Sequence, residues 1–266
     1  MLDRFDRKIN YLRISVTDRC NLRCRYCMPC DDFVMLAHAD ILRFSEIVGV
    51  VREGAAMGID KVRLTGGEPL VRRDVVKLVG MIAAVPGIKD LSMTSNGVLL
   101  DKFARQLAEA GLMRINISLD TIDPVRFSKL TAGGDITAVF RGIETAVEAG
   151  LEPVKLNCVV NGSSSGPDAL AVKQFAGERG LEVRFIHQMD LGGGEFSVVE
   201  GGEGGDCGRC NRLRLTASGK LKPCLFSDIS FDVRGMGARE AIVAAVSHKP
   251  ARGTVCSHNQ FYNIGG

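Results

Sequence analysis

The sequence predicts an α/β fold of six βα units around a parallel sheet. Up to about Met189, short apolar runs typical of strands alternate with longer segments in which apolar residues recur every three or four positions. Several of these segments end at a glycine, a common helix terminator. The alternation alone fits both a doubly wound sheet and a partial barrel.

Six runs are predicted as strands, with helices between or after them. The strands are Tyr11–Val16, Lys61–Thr65, Leu91–Thr94, Arg114–Leu119, Val154–Val160 and Glu182–Gln188. The helices are Ser45–Met57, Asp74–Val85, Asp101–Ala110, Ala138–Ala149 and Asp168–Arg179. Polar residues cluster after the C-terminal ends of successive strands, where barrel-type folds build active sites. This placement favours a partial barrel.

A small C-terminal unit is predicted after Asp190. Seven of the fourteen residues from Gly192 to Gly205 are glycine, which indicates a flexible linker. A hairpin is expected from Leu213–Thr216 and Lys220–Leu225, and a helix around Arg239–Ser247. We therefore divide the chain into a barrel, residues 1–190, and a linker with an appendage, residues 191–266. An appendage of this size cannot bury much core of its own, and metal ligation would stabilise it.

Composition indicates a cytoplasmic protein. Six of the nine cysteines fall into two close triads, a pattern typical of metal ligation in a reducing compartment. The N-terminal residues contain no apolar signal-peptide core, and no apolar run is long enough to cross a bilayer. A net charge of +3 is too small to indicate nucleic-acid binding. We expect neither nucleic acid nor membrane as a partner.

The two cysteine triads are the strongest chemical signal. The first is Cys20, Cys24 and Cys27, and the second is Cys207, Cys210 and Cys224. Three thiolates leave one iron of a 4Fe-4S cluster open to chemistry, whereas electron carriers normally supply four. Zinc or unliganded thiols are the alternatives for the first triad. A zinc finger closed by Cys256, His258 or Cys30 is the alternative for the second.

A glycine-rich turn follows the second predicted strand. The run Arg63–Leu70 reads R-L-T-G-G-E-P-L, in which Gly66, Gly67 and Pro69 shape the backbone. Such a turn can hydrogen-bond an ammonium group. An ordinary acid at a helix N-terminus is the alternative for Glu68.

Basic residues within the predicted strands indicate a pocket for a polyanion. A buried, unpaired cation is costly, so each should meet a carboxylate or a bound anion. The cations are Arg13, Lys61, Arg63, Lys155 and Arg184, joined by Arg212 and Arg214 in the hairpin. A salt bridge to a helix is the alternative for any one of them.

Longer motifs carry a family resemblance. They are Y-L-R-I-S-V-T-D-R-C-N-L-R-C-R-Y-C-M-P, V-R-L-T-G-G-E-P-L-V-R-R-D, N-I-S-L-D-T-I-D-P, C-N-R-L-R-L-T-A-S-G-K-L-K-P-C-L and the terminal I-G-G. Almost end to end, the chain resembles the GTP 3′,8-cyclases, radical S-adenosylmethionine enzymes of molybdenum-cofactor biosynthesis. The resemblance implies a partial (β/α)6 TIM-type barrel with a small C-terminal iron-sulfur appendage. It also implies that the tail with Gly265 and Gly266 reaches into the active site.

The resemblance implies a role for each candidate residue. The two triads would ligate two 4Fe-4S clusters. S-adenosylmethionine would contact Gly66, Gly67, Glu68, Pro69, Thr94, Ser95, Asn96, Ser118 and Lys155. Substrate would lie among Arg13, Lys61, Arg63, Lys155, Arg184, Arg212 and Arg214. Of these, Arg13, Lys61 and Arg63 are expected to take part in catalysis.

The implied reaction converts GTP to 3′,8-cyclo-7,8-dihydro-GTP. A 5′-deoxyadenosyl radical removes the ribose 3′ hydrogen, and the sugar radical attacks C8 of guanine. The implied partners are GTP, an external electron donor, a downstream enzyme that forms cyclic pyranopterin, and a second copy in a homodimer.

One departure from the family keeps two alternatives open. Only twenty-two residues separate Arg184 from Cys207, fewer than the family usually has. The alternatives are a radical enzyme acting on another anion or a peptide, and a non-catalytic iron-sulfur protein. Cys30, Cys158 and Cys256 receive no role.

Overall fold

Six parallel strands and their helices form the body of the chain. The computed structural model describes residues 1–28, 34–257 and 261–264. The strands are Tyr11–Ser15 (β1), Lys61–Thr65 (β2), Asp90–Ser95 (β3), Arg114–Ser118 (β4), Val154–Val160 (β5) and Glu182–His187 (β6). The helices are Phe44–Ala56 (α1), Val75–Ala83 (α2), Leu100–Glu109 (α3), Pro124–Thr131 (α4), Ile136–Glu148 (α5) and Pro167–Gly177 (α6). All six predicted strands and all five predicted helices of this region are confirmed, with shifts at their ends.

Helix α4 was not predicted from the sequence, because it buries little apolar surface. Of its eight residues only Phe127 and Thr131 are buried, so no apolar stripe marks it. Local signals set its bounds instead. The Asp123 carboxylate accepts a hydrogen bond from the backbone N–H of Arg126, and Ala132 ends the helix at φ 56°.

The strand order confirms a partial barrel. The sheet runs β6-β5-β4-β3-β2-β1 before it reaches the C-terminal strands, and each of these neighbours pairs in parallel. A doubly wound sheet would reverse its order at a switch point. Consecutive neighbours from β1 to β6 instead bring the C-terminal ends of the strands to one rim.

The C-terminal region extends this sheet. Its elements are Arg212–Leu215 (β7), Lys220–Lys222 (β8), Phe231–Asp232 (β9), Val233–Met236 (α7), Ala238–Ser247 (α8) and Phe261–Ile264 (α9). Strand β7 pairs in parallel with β1 and antiparallel with β8. The predicted hairpin and the predicted helix at α8 are thus confirmed. The sheet continues from the barrel strand β1 into the appendage.

The glycine-rich segment does not run free as the expected linker would. Phe185 and Glu200 exchange backbone hydrogen bonds of 3.1 and 3.0 Å, which tie the segment to β6. Gly205 has φ 83°, and a Cβ there would lie 1.9 Å from the carbonyl oxygen of Ser197. The segment therefore folds back on itself, and glycine is needed where it does so.

Side chains alternate between the two faces of the sheet. Leu12 and Ile14 of β1 are fully buried in the apolar core, and so are Leu213 and Leu215 of β7. The alternate residues, including Arg13, therefore face the concave side. Among the described helices, none is long and apolar enough to cross a membrane.

Candidate functional site

Both cysteine triads line one cavity at the C-terminal rim of the strands. Cys20, Cys24 and Cys27 line it from the loop after β1, and Cys207, Cys210 and Cys224 line it from the C-terminal region. Gly66, Gly67, Glu68, Thr94, Ser95, Asn96, Ser118, Arg13, Arg212 and Arg214 also line it. The structure thus brings most of the predicted site together.

The glycine turn packs directly on the backbone that precedes Cys20. The N–H of Gly67 donates to the Thr17 carbonyl oxygen at 2.8 Å, and the N–H of Glu68 donates to that of Arg19 at 2.8 Å. A Cβ on Gly67 would lie 2.3 Å from the Arg19 oxygen, closer than real side chains approach. Glycine is therefore required for the turn to dock here.

The Glu68 carboxylate ties this turn to β3. Oε1 accepts hydrogen bonds from Ser95 Oγ at 2.9 Å and from the backbone N–H of Leu70 at 3.0 Å. Oε2 accepts one from the N–H of Asn96 at 2.7 Å. Burial outweighs these bonds and raises the pKa of Glu68 to about 7. A carboxylate has about four acceptor sites, so one remains for an ammonium group.

Polar groups at the rim are available to a ligand. Thr94 Oγ1 is buried without a hydrogen-bond partner among the described residues. The Asn96 amide donates to Asn21 Oδ1 at 2.9 Å and lies 3.8 Å from Cys20 Sγ.

Lys155 does not line the cavity, contrary to the expected contact with S-adenosylmethionine. It instead forms an ion pair with Glu182.

The first triad lies on a tight turn, where its thiols are partly buried. The N–H groups of Cys27 and Met28 donate to the Cys24 carbonyl oxygen at 3.0 and 2.9 Å, which makes a tight turn. Burial and the neighbouring thiols raise the pKa values of Cys24 and Cys27 to about 12, and bound iron would oppose this by favouring the thiolates.

The zinc alternative lacks the required convergence. Nowhere in the described ranges do three His, Cys, Asp or Glu side chains come together closely enough to hold one metal ion. A cluster does not need this convergence, because each thiolate binds a different iron. Cys256 is buried in an apolar group with Leu191 and Phe226, whereas Cys30 and His258 lie outside the described residues.

Two buried cations hold the second triad in place. Lys249 Nζ donates to the carbonyl oxygens of Arg212 and Pro223, each at 2.7 Å. Burial alone would raise the pKa of Cys210, but the charge of Lys249, the backbone N–H and charge of Arg212 and the hydrogen bond of Lys249 together outweigh it, and the pKa lies below its ordinary value. Arg7 donates to the carbonyl oxygen of Cys207 at 2.7 Å.

The seven predicted cations divide by depth. Arg13, Arg212 and Arg214 line the cavity. Arg63 lies deeper, where Nε donates to Ser92 Oγ at 3.0 Å, and Arg184 Nε is buried without a partner in the described chain. Lys61 is exposed at the start of β2 and Lys155 is paired with Glu182.

Burial and crowding lower the pKa values of the interior guanidiniums. Burial and the neighbouring Arg214 hold the pKa of Arg13 well below its ordinary range. Burial and the neighbouring Arg212 lower the pKa of Arg214 to about 10. A bound polyanion would relieve this repulsion.

Sequence reasoning missed several site residues. Tyr26, between Cys24 and Cys27, donates to Asp120 Oδ2 at 2.9 Å and lines the cavity. Its place inside the motif was an available signal. Arg7 and Lys249 had none, because their partners near the second triad lie far away in sequence. Gly265 and Gly266 lie outside the described residues.

Sequence comparisons agree with this geometry. The profile of the radical SAM superfamily matches residues 14–162, and that of Molybdenum Cofactor Synthesis C matches residues 172–253. The GTP 3′,8-cyclase of Moorella thermoacetica is 43% identical over 305 residues, covering 94% of each chain. That of Clostridium botulinum is 34% identical over 319 residues, covering 100% of each chain. Both alignments exceed the 266 residues of this chain, so these relatives carry residues that it lacks.

Solved structures show the same fold. Streptococcus suis SuiB bound to S-adenosylmethionine has a TM-score of 0.57 at 20% identity, over 69% of this chain and 42% of that one. Methylornithine synthase has a TM-score of 0.58 at 17% identity, over 90% of this chain and 70% of that one. With the cysteine motif, the glycine turn and the near full-length relatives, these findings show that the chain belongs to the radical SAM superfamily and, within it, to the GTP 3′,8-cyclase family.

Proposed function

We propose that this protein converts GTP to 3′,8-cyclo-7,8-dihydro-GTP, an early step of molybdenum-cofactor biosynthesis. The observation that carries the proposal is one cavity lined by both cysteine triads and by Arg13, Arg212 and Arg214. A radical enzyme acting on a neutral peptide would have no use for several crowded guanidiniums, each costly to bury. Their presence favours an anionic substrate.

The residues present suit two 4Fe-4S clusters and S-adenosylmethionine. Cys20, Cys24 and Cys27 would hold the first cluster, and Cys207, Cys210 and Cys224 the second. When bound and reduced, the first cluster supplies the electron that cleaves S-adenosylmethionine to methionine and a 5′-deoxyadenosyl radical.

The chain's own groups bind and align the two substrates. The glycine turn and Glu68 would hold the ammonium group of S-adenosylmethionine, and Thr94, Asn96 and Ser118 offer polar contacts for the rest of the molecule. The guanidiniums would hold the triphosphate through charge-assisted hydrogen bonds. Together they would bring the ribose C3′ within reach of the adenosyl group and keep water away.

Lys61 and Lys155 contribute less directly to this proposal. Lys61 is exposed and Lys155 is paired with Glu182, so a substrate contact requires each to reorient. Arg63 and Arg184 are better placed, because Arg63 is buried within the sheet and Arg184 Nε is buried without a partner among the described residues.

An anaerobic assay tests the proposal. The reconstituted, reduced protein is mixed with S-adenosylmethionine and GTP, and products are followed by mass spectrometry. We expect 5′-deoxyadenosine and cyclised GTP together. Deoxyadenosine without cyclised GTP would move the substrate elsewhere, and neither product from fully loaded protein would favour a binding-only role.

The proposed reaction sets the partners. Cleavage of S-adenosylmethionine consumes an electron, so an external donor must supply it, and the cyclised nucleotide must pass to an enzyme that forms cyclic pyranopterin. The homodimer and the cytoplasmic location remain predictions, the latter based on the cysteine triads.

A further inference from the structure

Three neighbouring strands present two rows of side chains to the concave side of the sheet. In the first row, Lys61, Tyr11 and Arg212 lie side by side on β2, β1 and β7. In the second row, two residues further along each strand, lie Arg63, Arg13 and Arg214. Five of the six positions carry a Lys or Arg and the sixth carries a tyrosine.

The Tyr11 ring lies between two of these cations. The Arg63 guanidinium carbon is 5.8 Å from the ring centroid and that of Arg212 is 5.9 Å from it. Both distances lie within the range over which a ring attracts a cation. The ring thus attracts two like charges at once.

The Tyr11 hydroxyl has no hydrogen-bond partner in the described part of the chain, although its oxygen is buried. A buried hydroxyl without a partner destabilises a protein, so this donor is available to a ligand. Burial by itself raises the pKa of Tyr11, but Arg63, Arg13, Arg212 and Arg214 outweigh it and lower the pKa below its ordinary value. The hydroxyl therefore sits in a strongly positive environment that suits an oxyanion.

The depth of Tyr11 determines which part of an anion it meets. Arg13 lines the cavity beside the cysteines, whereas Tyr11 lies two residues, about 6.6 Å, nearer to the start of β1. Arg212 and Arg214 also line the cavity, whereas Tyr11 does not, so a phosphate chain that enters from the cavity meets these three guanidiniums first. Only its far end reaches the Tyr11 hydroxyl.

We propose that Tyr11 determines the preferred length of the phosphate chain, with its hydroxyl donating to the terminal phosphate of a bound nucleoside triphosphate. This inference rests on the proposed function, in which the nucleotide is GTP. It adds that a triphosphate is distinguished from a diphosphate at the Tyr11 hydroxyl.

The test compares phosphate chains of different length on the full-length, anaerobically reconstituted protein. Dissociation constants of GTP, GDP, inorganic triphosphate and pyrophosphate are measured for the unmodified protein and for Tyr11→Phe. We expect the variant to bind GTP and inorganic triphosphate at least about fivefold more weakly, with GDP and pyrophosphate changed by less than about twofold. Equal losses for long and short chains, or no loss, would overturn the inference.

Two further variants serve as controls. Tyr26→Phe removes a hydroxyl from the cysteine side of the same cavity and should leave the ratio of triphosphate to diphosphate affinity unchanged. Tyr11→His restores a ring donor and should recover part of the lost triphosphate affinity. If Tyr11→His and Tyr11→Phe are equally impaired, the damage is structural and the inference is wrong.

The inorganic probes separate this inference from the proposed function. If the unmodified protein binds inorganic triphosphate in a Tyr11-dependent way but fails to bind GTP, the GTP assignment is wrong and the length preference stands. If it binds and cyclises GTP without any Tyr11-dependent preference for triphosphate, only the inference about Tyr11 is wrong.

Discussion

Lys249 Nζ lies 2.7 Å from the carbonyl oxygen of Pro223, the residue before Cys224. The same ammonium donates to the carbonyl oxygen of Arg212 at 2.7 Å and hydrogen-bonds the Cys210 thiol. Its three donors are therefore all used to join the segments that carry two cysteines of the second triad. The second triad depends on a residue outside its own motif.

Lys249→Met should weaken the second triad. The change removes the ammonium donor from two carbonyl oxygens, at about 1–3 kcal/mol each, and removes the charge that favours the Cys210 thiolate. We expect a melting temperature lower by several degrees and iron content approaching that of one cluster. Thermal unfolding and iron analysis of reconstituted protein measure both.

Lys222→Met is the matched control. Lys222 is also a fully buried lysine, but its Nζ has no hydrogen-bond partner among the described residues. Removing an unsatisfied buried ammonium should retain or raise the melting temperature. If the two variants lost stability equally, the three hydrogen bonds of Lys249 would not be the cause.

Gly67→Ala should damage the first cluster selectively. The added Cβ would collide with the Arg19 carbonyl oxygen and displace the backbone that leads into Cys20. We expect loss of iron from the first triad with iron retained at the second, measured by electron paramagnetic resonance of the reduced protein. The control Gly49→Ala places a Cβ in open space on α1 and should keep both clusters.

The affinity for S-adenosylmethionine should depend on pH through Glu68. Its pKa in the folded protein is raised from 4.5 to about 7, so the carboxylate is mostly protonated below pH 7. The ammonium of S-adenosylmethionine favours the ionised form. We therefore expect the dissociation constant to rise about tenfold for each pH unit below 7, measured by equilibrium dialysis.

Without ligand, the folding stability should fall as the pH rises from 4.5 to 7, whereas the affinity for S-adenosylmethionine should rise over the same range. The raised pKa means that the native state keeps a proton that the unfolded state has lost between pH 4.5 and 7. Ionisation of Glu68 therefore destabilises the fold as pH rises through this window, by about 3 kcal/mol. Glu68→Gln should remove this decline, and an unchanged profile would mean that Glu68 does not titrate there.

Local patterns predicted the elements better than their long-range relations. The strands and the two cysteine triads carry strong local signals, and so does the Gly66–Gly67 turn. The contacts of Arg7 and Lys249 with the second triad join distant parts of the chain, and no local period encodes them. The prediction of a flexible linker for the glycine-rich segment was wrong for a related reason. Composition indicates flexibility, whereas the bonds of Glu200 to β6 depend on tertiary contacts.

The cations show a similar limit. Strand position predicted that Arg13 and Arg63 face the interior, and they do. The same reasoning included Lys155, which alternation places on that face but which Glu182 on the next strand neutralises. A pairing between neighbouring strands can be recognised only once the register is known.

The most direct test of the account is the fate of the ribose C3′ hydrogen. GTP carrying deuterium at C3′ is incubated anaerobically with the reduced protein and S-adenosylmethionine, and 5′-deoxyadenosine is analysed by mass spectrometry. We predict deuterium in 5′-deoxyadenosine together with a cyclised nucleotide. Deoxyadenosine that forms without deuterium, while GTP is recovered unchanged, would contradict the claim that the two cysteine triads and the arginine-lined interior serve one reaction on GTP.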